Sequence, residues 1–143
     1  MDELRGKYVD EISEGMTAVF SKTVTDADIV LFAGISGDTN PVHLDEEFAK
    51  STMFKGRIAH GMLTAAFIST VFGTKLPGPG CIYLSQTLKF KAPVRIGDTV
   101  RARVTAIAVD RDKGRVTFAT TAHVGETLVT EGEAQILVPK RPG

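Results

Sequence analysis

An aspartate, an asparagine and a histidine fall within six residues in the segment Gly37-Asp38-Thr39-Asn40-Pro41-Val42-His43. A carboxylate beside an imidazole is a usable acid–base pair, because neighbouring charge and burial bring both groups towards neutral pH. Pro41 has no N–H and biases Asn40 towards extended backbone, so the segment reads as a turn or bent loop in place of a helix. A bend of that kind turns Asp38 and His43 towards one small site. Asn40 would orient Asp38 or simply serve the turn, a common duty for Asn before Pro. The bland alternative is an ordinary loop, with Asp38 turning the backbone and His43 solvated.

The flanking elements decide whether these groups can converge. Met16 to Val24 alternates in the manner of a strand, with Ala18, Phe20 and Val24 opposite Thr17, Ser21 and Thr23. Thr25-Asp26-Ala27-Asp28 then has nearly the form of a capping box. The helix it opens, over 26–35, places Ala27, Val30, Leu31 and Gly34 on one face. Gly37 is a natural stop, so Asp38 comes directly after a helix end. Downstream, 45–50 reads as a short helix with acids at its positive end, and Asp45, Glu46 and Glu47 are a solvated helix start, not a metal cluster. Residues 51–59 read as a loop, with Phe54 and Ile58 available to a pocket.

The run from His60 to Phe72 is apolar on nearly every face and interrupted only by small hydroxyls. Such a helix must be buried on most sides, and a sheet wrapped around it would achieve that. Gly73 and Pro77-Gly78-Pro79-Gly80 end it. Everything after Gly80 reads as strand, over 82–90, 100–109, 116–124 and 127–138, with turns at 95–98, 110–114 and 125–126. Consecutive strands joined by short turns pair antiparallel. One strand, then helices, then four strands make an α+β fold around one central helix.

The run from Phe32 to His43, followed after five residues by Ala49, resembles the hydratase-2 signature of the MaoC-like dehydratases, and no departure from that signature is found. The resemblance continues through His60-Gly61-Met62-Leu63 and the later strands, so it covers most of the chain. It implies a single hot-dog domain over 1–143, with an antiparallel sheet around the central helix. It also implies (R)-specific enoyl-CoA hydratase activity, the reversible syn addition of water to a trans-2-enoyl-CoA. Carried over from the family motif, Asp38 and His43 hold the attacking water and share the proton transfers, each of which commonly contributes ~10²–10⁴-fold. Which of the two is base stays open, because coupled groups titrate together.

Attack at C3 drives negative charge onto the thioester oxygen, which needs donors already in place. The start of the apolar helix has unpaired N–H groups and a positive dipole end, and Gly61 permits close approach. The Gly61 N–H is therefore assigned as the oxyanion donor, in agreement with the family pattern at His-Gly-Met. The competing reading is that Gly61 only lets the helix pack tightly on a strand. His60 is expected to satisfy a buried backbone group, and His123 to be structural or on the surface. Some relatives carry a serine where this chain has Ala66, a difference that bears on substrate shape.

Composition agrees with one soluble globular domain, at 143 residues, 43% apolar and 24% charged. Seventeen basic residues balance seventeen acidic ones, so no broad attraction to nucleic acid or anionic membrane is expected. Lys89, Lys91, Arg95 and Arg101 are candidates for CoA phosphates. The single cysteine, Cys81, excludes an intrachain disulfide, reads as a buried structural thiol and fits a reducing compartment. The N-terminus lacks an apolar leader and no apolar run spans a bilayer, which gives a cytoplasmic expectation. No metal and no cofactor are expected, since Cys/His spacings and a glycine-rich dinucleotide loop are both missing. Relatives with fused double hot-dog folds are about twice this length, so a homodimer is expected, which would cover exposed sheet edges.

Two other functions compete on the same fold. A hot-dog thioesterase would place an acid on or near the central helix, and 62–72 contains no Asp or Glu. A non-catalytic acyl-CoA-binding module would use the motif only as a loop.

Overall fold

A computed structural model describes residues 3–143. After a 3₁₀ turn at Val9–Glu11, the chain forms β1 (Thr17–Thr23), α1 (Asp26–Ser36), α2 (Pro41–Leu44), α3 (Glu46–Lys50) and α4 (Gly61–Thr74). It continues as β2 (Ile82–Gln86), β3 (Lys89–Phe90), β4 (Thr99–Asp110), β5 (Arg115–Val124) and β6 (Thr127–Leu137). The strands make one antiparallel sheet in the order β1-β4-β5-β6-β2, and β3 also pairs with β6. Period-two burial follows from the pleat: Val100, Ala102, Val104 and Ala106 of β4 point inward, as do Val116, Phe118, Thr120 and Ala122 of β5. The inner face wraps α4, whose Phe67, Ile68, Val71 and Phe72 are buried against it. Phe72 meets the Phe118 ring edge-on at 5.0 Å, which fixes the helix over the sheet centre. This is the hot-dog arrangement expected from the sequence. No helix among the described residues is long and apolar enough to cross a membrane.

Local chemistry explains the boundaries. Thr25 Oγ1 accepts from the Asp28 N–H at 3.1 Å while Asp28 Oδ2 accepts from the Thr25 N–H at 2.9 Å, a complete capping box. Gly37 closes α1 at φ +79°, a left-handed conformation that costs glycine nothing.

Four expectations need correction. The inner face of α1 is Ile29 and Ala33 with Phe32 partly buried, whereas Val30 and Leu31 are 51% and 66% exposed. That helix is apolar nearly all round, so periodicity could not choose its inner stripe. Pro41 does not exclude a helix; it starts α2, where its missing N–H is one that no helix would use. Gly73 does not end α4, which continues to Thr74 before the Lys75 and Leu76 N–H groups both close on the Val71 carbonyl. The strand read as 82–90 is broken into β2 and β3 at Thr87, whose carbonyl presses on Gly132 so closely that any Cβ there would overlap it.

Candidate active site

The turn after α1 and the approach to α4 meet at one end of the sheet, around a cavity of about 420 Å³. Asp38, His43, Gly61 and Met62 line it, with Phe54 and Phe90 among its apolar walls. The expected pair is thus brought together. One polar side-chain atom from each of Asp38, His43 and His60 lies within 4.8 Å of the other two. That span suits a single water held by two hydrogen bonds of about 2.8 Å each.

Asn40 sets the turn from both ends. Its Oδ1 accepts from the Val42 N–H at 3.1 Å and caps α2, and its own N–H donates to Asp38 Oδ1 at 3.2 Å. Asn40 therefore contacts Asp38 through its main chain and caps the turn through its side chain. The helical turn it starts carries His43 into the interior, where the residue is 8% exposed.

A carbonyl can only accept, so the 2.8 Å contact between His43 Nδ1 and the Ile58 oxygen places the proton on Nδ1. Nε2 is then the basic nitrogen. Burial holds the imidazole below its ordinary pKa of 6.5; the Ile58 carbonyl pulls it up, His60 pushes it down and Asp38 raises it. A lowered folded value means that His43 stays neutral into mildly acid solution. We expect the acid limb of kcat/KM to lie below pH 6.5, since that limb reports the free enzyme. The stability tied to neutral His43 has the same sign, complete above 6.5 and lost as pH falls through the folded value. A limb at or above 6.5 in a pH–rate profile would contradict this environment for His43.

His60 immediately precedes α4 and is 2% exposed. Its Nε2 donates to the main-chain carbonyl of the exposed Asp38 at 2.9 Å, where a buried backbone partner was expected. Its ring stacks on His43 with centroids 3.8 Å apart and planes 27° from parallel. Asp38, His43 and His60 also have the composition of a metal site.

Gly61 is the first residue of α4, and His60 makes no side-chain cap bond there. In that first turn the Leu63 N–H donates to the His60 carbonyl at 3.1 Å, and the turn's N–H groups sit at the positive end of the helix. A Cβ at Gly61 would lie 2.7 Å from the Phe90 ring, so the close approach that glycine allows is realised by β3. The helix-packing reading of Gly61 therefore has a definite partner, and the donor reading has an open helix tip on the cavity.

Arg57 was missed from sequence. Its Nε donates to the His43 carbonyl at 2.6 Å and its Nη2 to Asp26 Oδ1 at 2.7 Å, which ties the histidine's turn to the start of α1. Nothing local marks an arginine for this duty, because Asp26 lies 31 residues earlier. Arg57→Ala should lower kcat by ~10-fold or more, since small displacements of positioned groups are costly to rate. Steady-state kinetics beside a thermal melt would check it. Of the basic residues considered for phosphate contact, Lys91 lines the cavity, whereas Arg95 donates to the Phe54 carbonyl and Arg101 is exposed opposite His123 in the sheet. Cys81 is half-buried with its thiol on the Phe72 carbonyl, and burial pushes that thiol up.

The family profile of the MaoC-like domain matches residues 8–132. The chain belongs to the MaoC-like family. This MaoC-like chain is 56% identical to an (R)-specific enoyl-CoA hydratase of Rhodospirillum rubrum, over 98% of its own length and 97% of the relative's. It is 48% identical to a 3-hydroxybutyryl-CoA dehydratase of Methylorubrum extorquens, over 99% of its length and 90% of the relative's. Among solved structures, the unliganded R-hydratase PhaJ1 of Pseudomonas aeruginosa superposes with a TM-score of 0.89 at 42% identity, covering 95% of this chain and 88% of that one. The matched residues 8–132 take in β1 to β5, α4 and the Asp38–His43 turn.

Proposed function

We propose that this chain is a hydro-lyase that adds water reversibly to trans-2-enoyl-CoA thioesters and gives the (R)-3-hydroxyacyl product. The observation that carries the reading is the placement of Asp38 and His43 across a water-sized gap, beside the open N-terminus of α4. The near full-length identity to an (R)-specific enoyl-CoA hydratase supports it.

In the hydration direction the Asp38–His43 pair takes a proton from water as the oxygen attacks C3. His43 Nε2 is free to accept because Nδ1 is occupied by Ile58. Negative charge develops on the thioester oxygen, and the Gly61 N–H at the helix tip donates to it. The pair then returns a proton to C2 on the face from which water came. Atoms balance as one water added across one double bond, and dehydration runs the same steps in reverse. Asn40 holds Asp38 for both directions.

The apolar walls, including Phe54, Met62 and Phe90, would accept the acyl chain, and Lys91 would meet a CoA phosphate near the rim. We read the 143 residues as one MaoC-like domain that works as a homodimer in the cytoplasm. Support for the dimer comes from β2, the last strand in the sheet order, whose Ile82 and Leu84 are 55% and 43% exposed. A half-buried lone thiol supports a reducing compartment. The thioesterase reading gains nothing from α4, which carries no acidic residue. The test is loss of enoyl absorbance from crotonyl-CoA. Hydration without release of free thiol supports the proposal, and thiol release without hydration overturns it.

A further inference from the structure

The geometry points to His60 as a positioning residue for proton transfer: its Nε2–H fixes the main chain at Asp38, and its ring is the plate that holds the His43 imidazole. This deepens the hydratase reading and rests on it. Three contacts carry the argument. The 2.9 Å bond to the Asp38 carbonyl fixes the residue from which one acid–base side chain projects. The 3.8 Å stack fixes the plane of the other. On its far side the ring meets Phe32 at 4.9 Å, so His60 is clamped in a three-ring pile that runs from α1 to α2. Being the N-cap of α4, it also sets where the Gly61 N–H lies relative to both groups.

The fourth observation concerns a missing partner. Among the described residues, His60 Nδ1 is the buried side-chain nitrogen or oxygen that has no hydrogen-bond partner. Leaving such a group unmade is costly, and a residue kept only for packing would avoid that cost by being apolar. The Asp38 carbonyl fixes the Nε2–H tautomer of His60, which leaves proton exchange to Asp38 and His43. The ionisable groups around His43 are Asp38 after α1, Arg57 and His60 before α4, and Lys91 across the cavity; of these His60 is the one in face-to-face contact.

Nitrogen-15 NMR of the wild-type protein, without substrate, reads the tautomer directly. The expected result is an Nε2–H His60 beside an Nδ1–H His43. An Nδ1–H tautomer of His60 would overturn the proposal. Two variants separate the contacts. His60→Phe keeps the plate and loses the donor; kcat for crotonyl-CoA should fall about tenfold with KM within about threefold. His60→Gln removes the plate, and His43 should titrate at higher pH than in the wild type, with the acid limb of the rate profile following it. Wild-type kcat in His60→Phe, or an unmoved His43 titration in His60→Gln, would refute the role. If His60→Gln does not fold, His60→Phe and the wild-type tautomer decide the matter. Failure here with an active wild type removes His60 alone, whereas a wild type without hydration removes the hydratase reading itself.

Discussion

Asp38→Asn is expected to lower kcat for crotonyl-CoA hydration by about 10²–10⁴-fold, the usual worth of one positioned proton transfer. The amide keeps the size of the side chain and can still accept from the Asn40 N–H that now meets Asp38 Oδ1 at 3.2 Å, so the turn should survive. His43→Gln should cost as much. Because the two groups act on one water, the double variant should be scarcely worse than either single one, as expected for residues that work as a unit. Asp38 is exposed to the cavity, and its change should leave the melting temperature almost unmoved. His43 is buried, and its loss should lower stability modestly as well as rate. Retained activity in both single variants would remove the pair from the mechanism.

Gly61→Ala keeps the main-chain N–H but sets a methyl beside it, and is expected to reduce kcat by about tenfold or more, since small displacements of positioned groups are costly to rate. The new methyl would also meet the Phe90 ring at 2.7 Å, so the single variant does not separate chemistry from packing. Phe90→Ala does. Its side chain is 54% exposed and can be removed without opening the core. In a double-mutant cycle, Gly61→Ala should remain at least tenfold impaired in the Phe90→Ala background, because the methyl still stands on the cavity side of the helix tip. Recovery to the rate of Phe90→Ala alone would make Gly61 a packing glycine.

Both experiments bear on residues that were legible in the sequence, and the reason is local chemistry. Thr25, Asp28 and Gly37 announce the two ends of α1 through bonds made within a few residues. Asp38, Asn40 and His43 sit in a turn whose own hydrogen bonds shape it. The all-round apolar surface of α4 required a surrounding sheet, and the alternating strands supplied it. What escaped the sequence depends on partners far along the chain. Arg57 takes its meaning from Asp26, and the break at Thr87 from Gly132. The Phe90 ring reaches Gly61 only after β3 pairs with β6. Pro41 was ambiguous for another reason, since proline both excludes helix interiors and begins helices, and only the Asn40 cap decides which.

The ionisable centre also explains why one residue can serve structure and chemistry together. His43 is held neutral by burial, yet it faces a cavity through which substrate and water must enter. Its turn is fastened by Arg57 and by the Ile58 carbonyl, both from the stretch that leads into α4. Movement of that stretch would displace base and helix tip at once, so the acid–base pair and the oxyanion donor are expected to fail together in variants that loosen it.

Hydration of crotonyl-CoA in deuterium oxide tests the central claim most directly, because the claim is that one water is delivered and one proton returned on a single face. Analysis of the isolated product should show the (R) configuration at C3, with deuterium at C2 on the same side as the new hydroxyl. An (S) product, or deuterium on the opposite face, would contradict a mechanism in which Asp38 and His43 share both transfers.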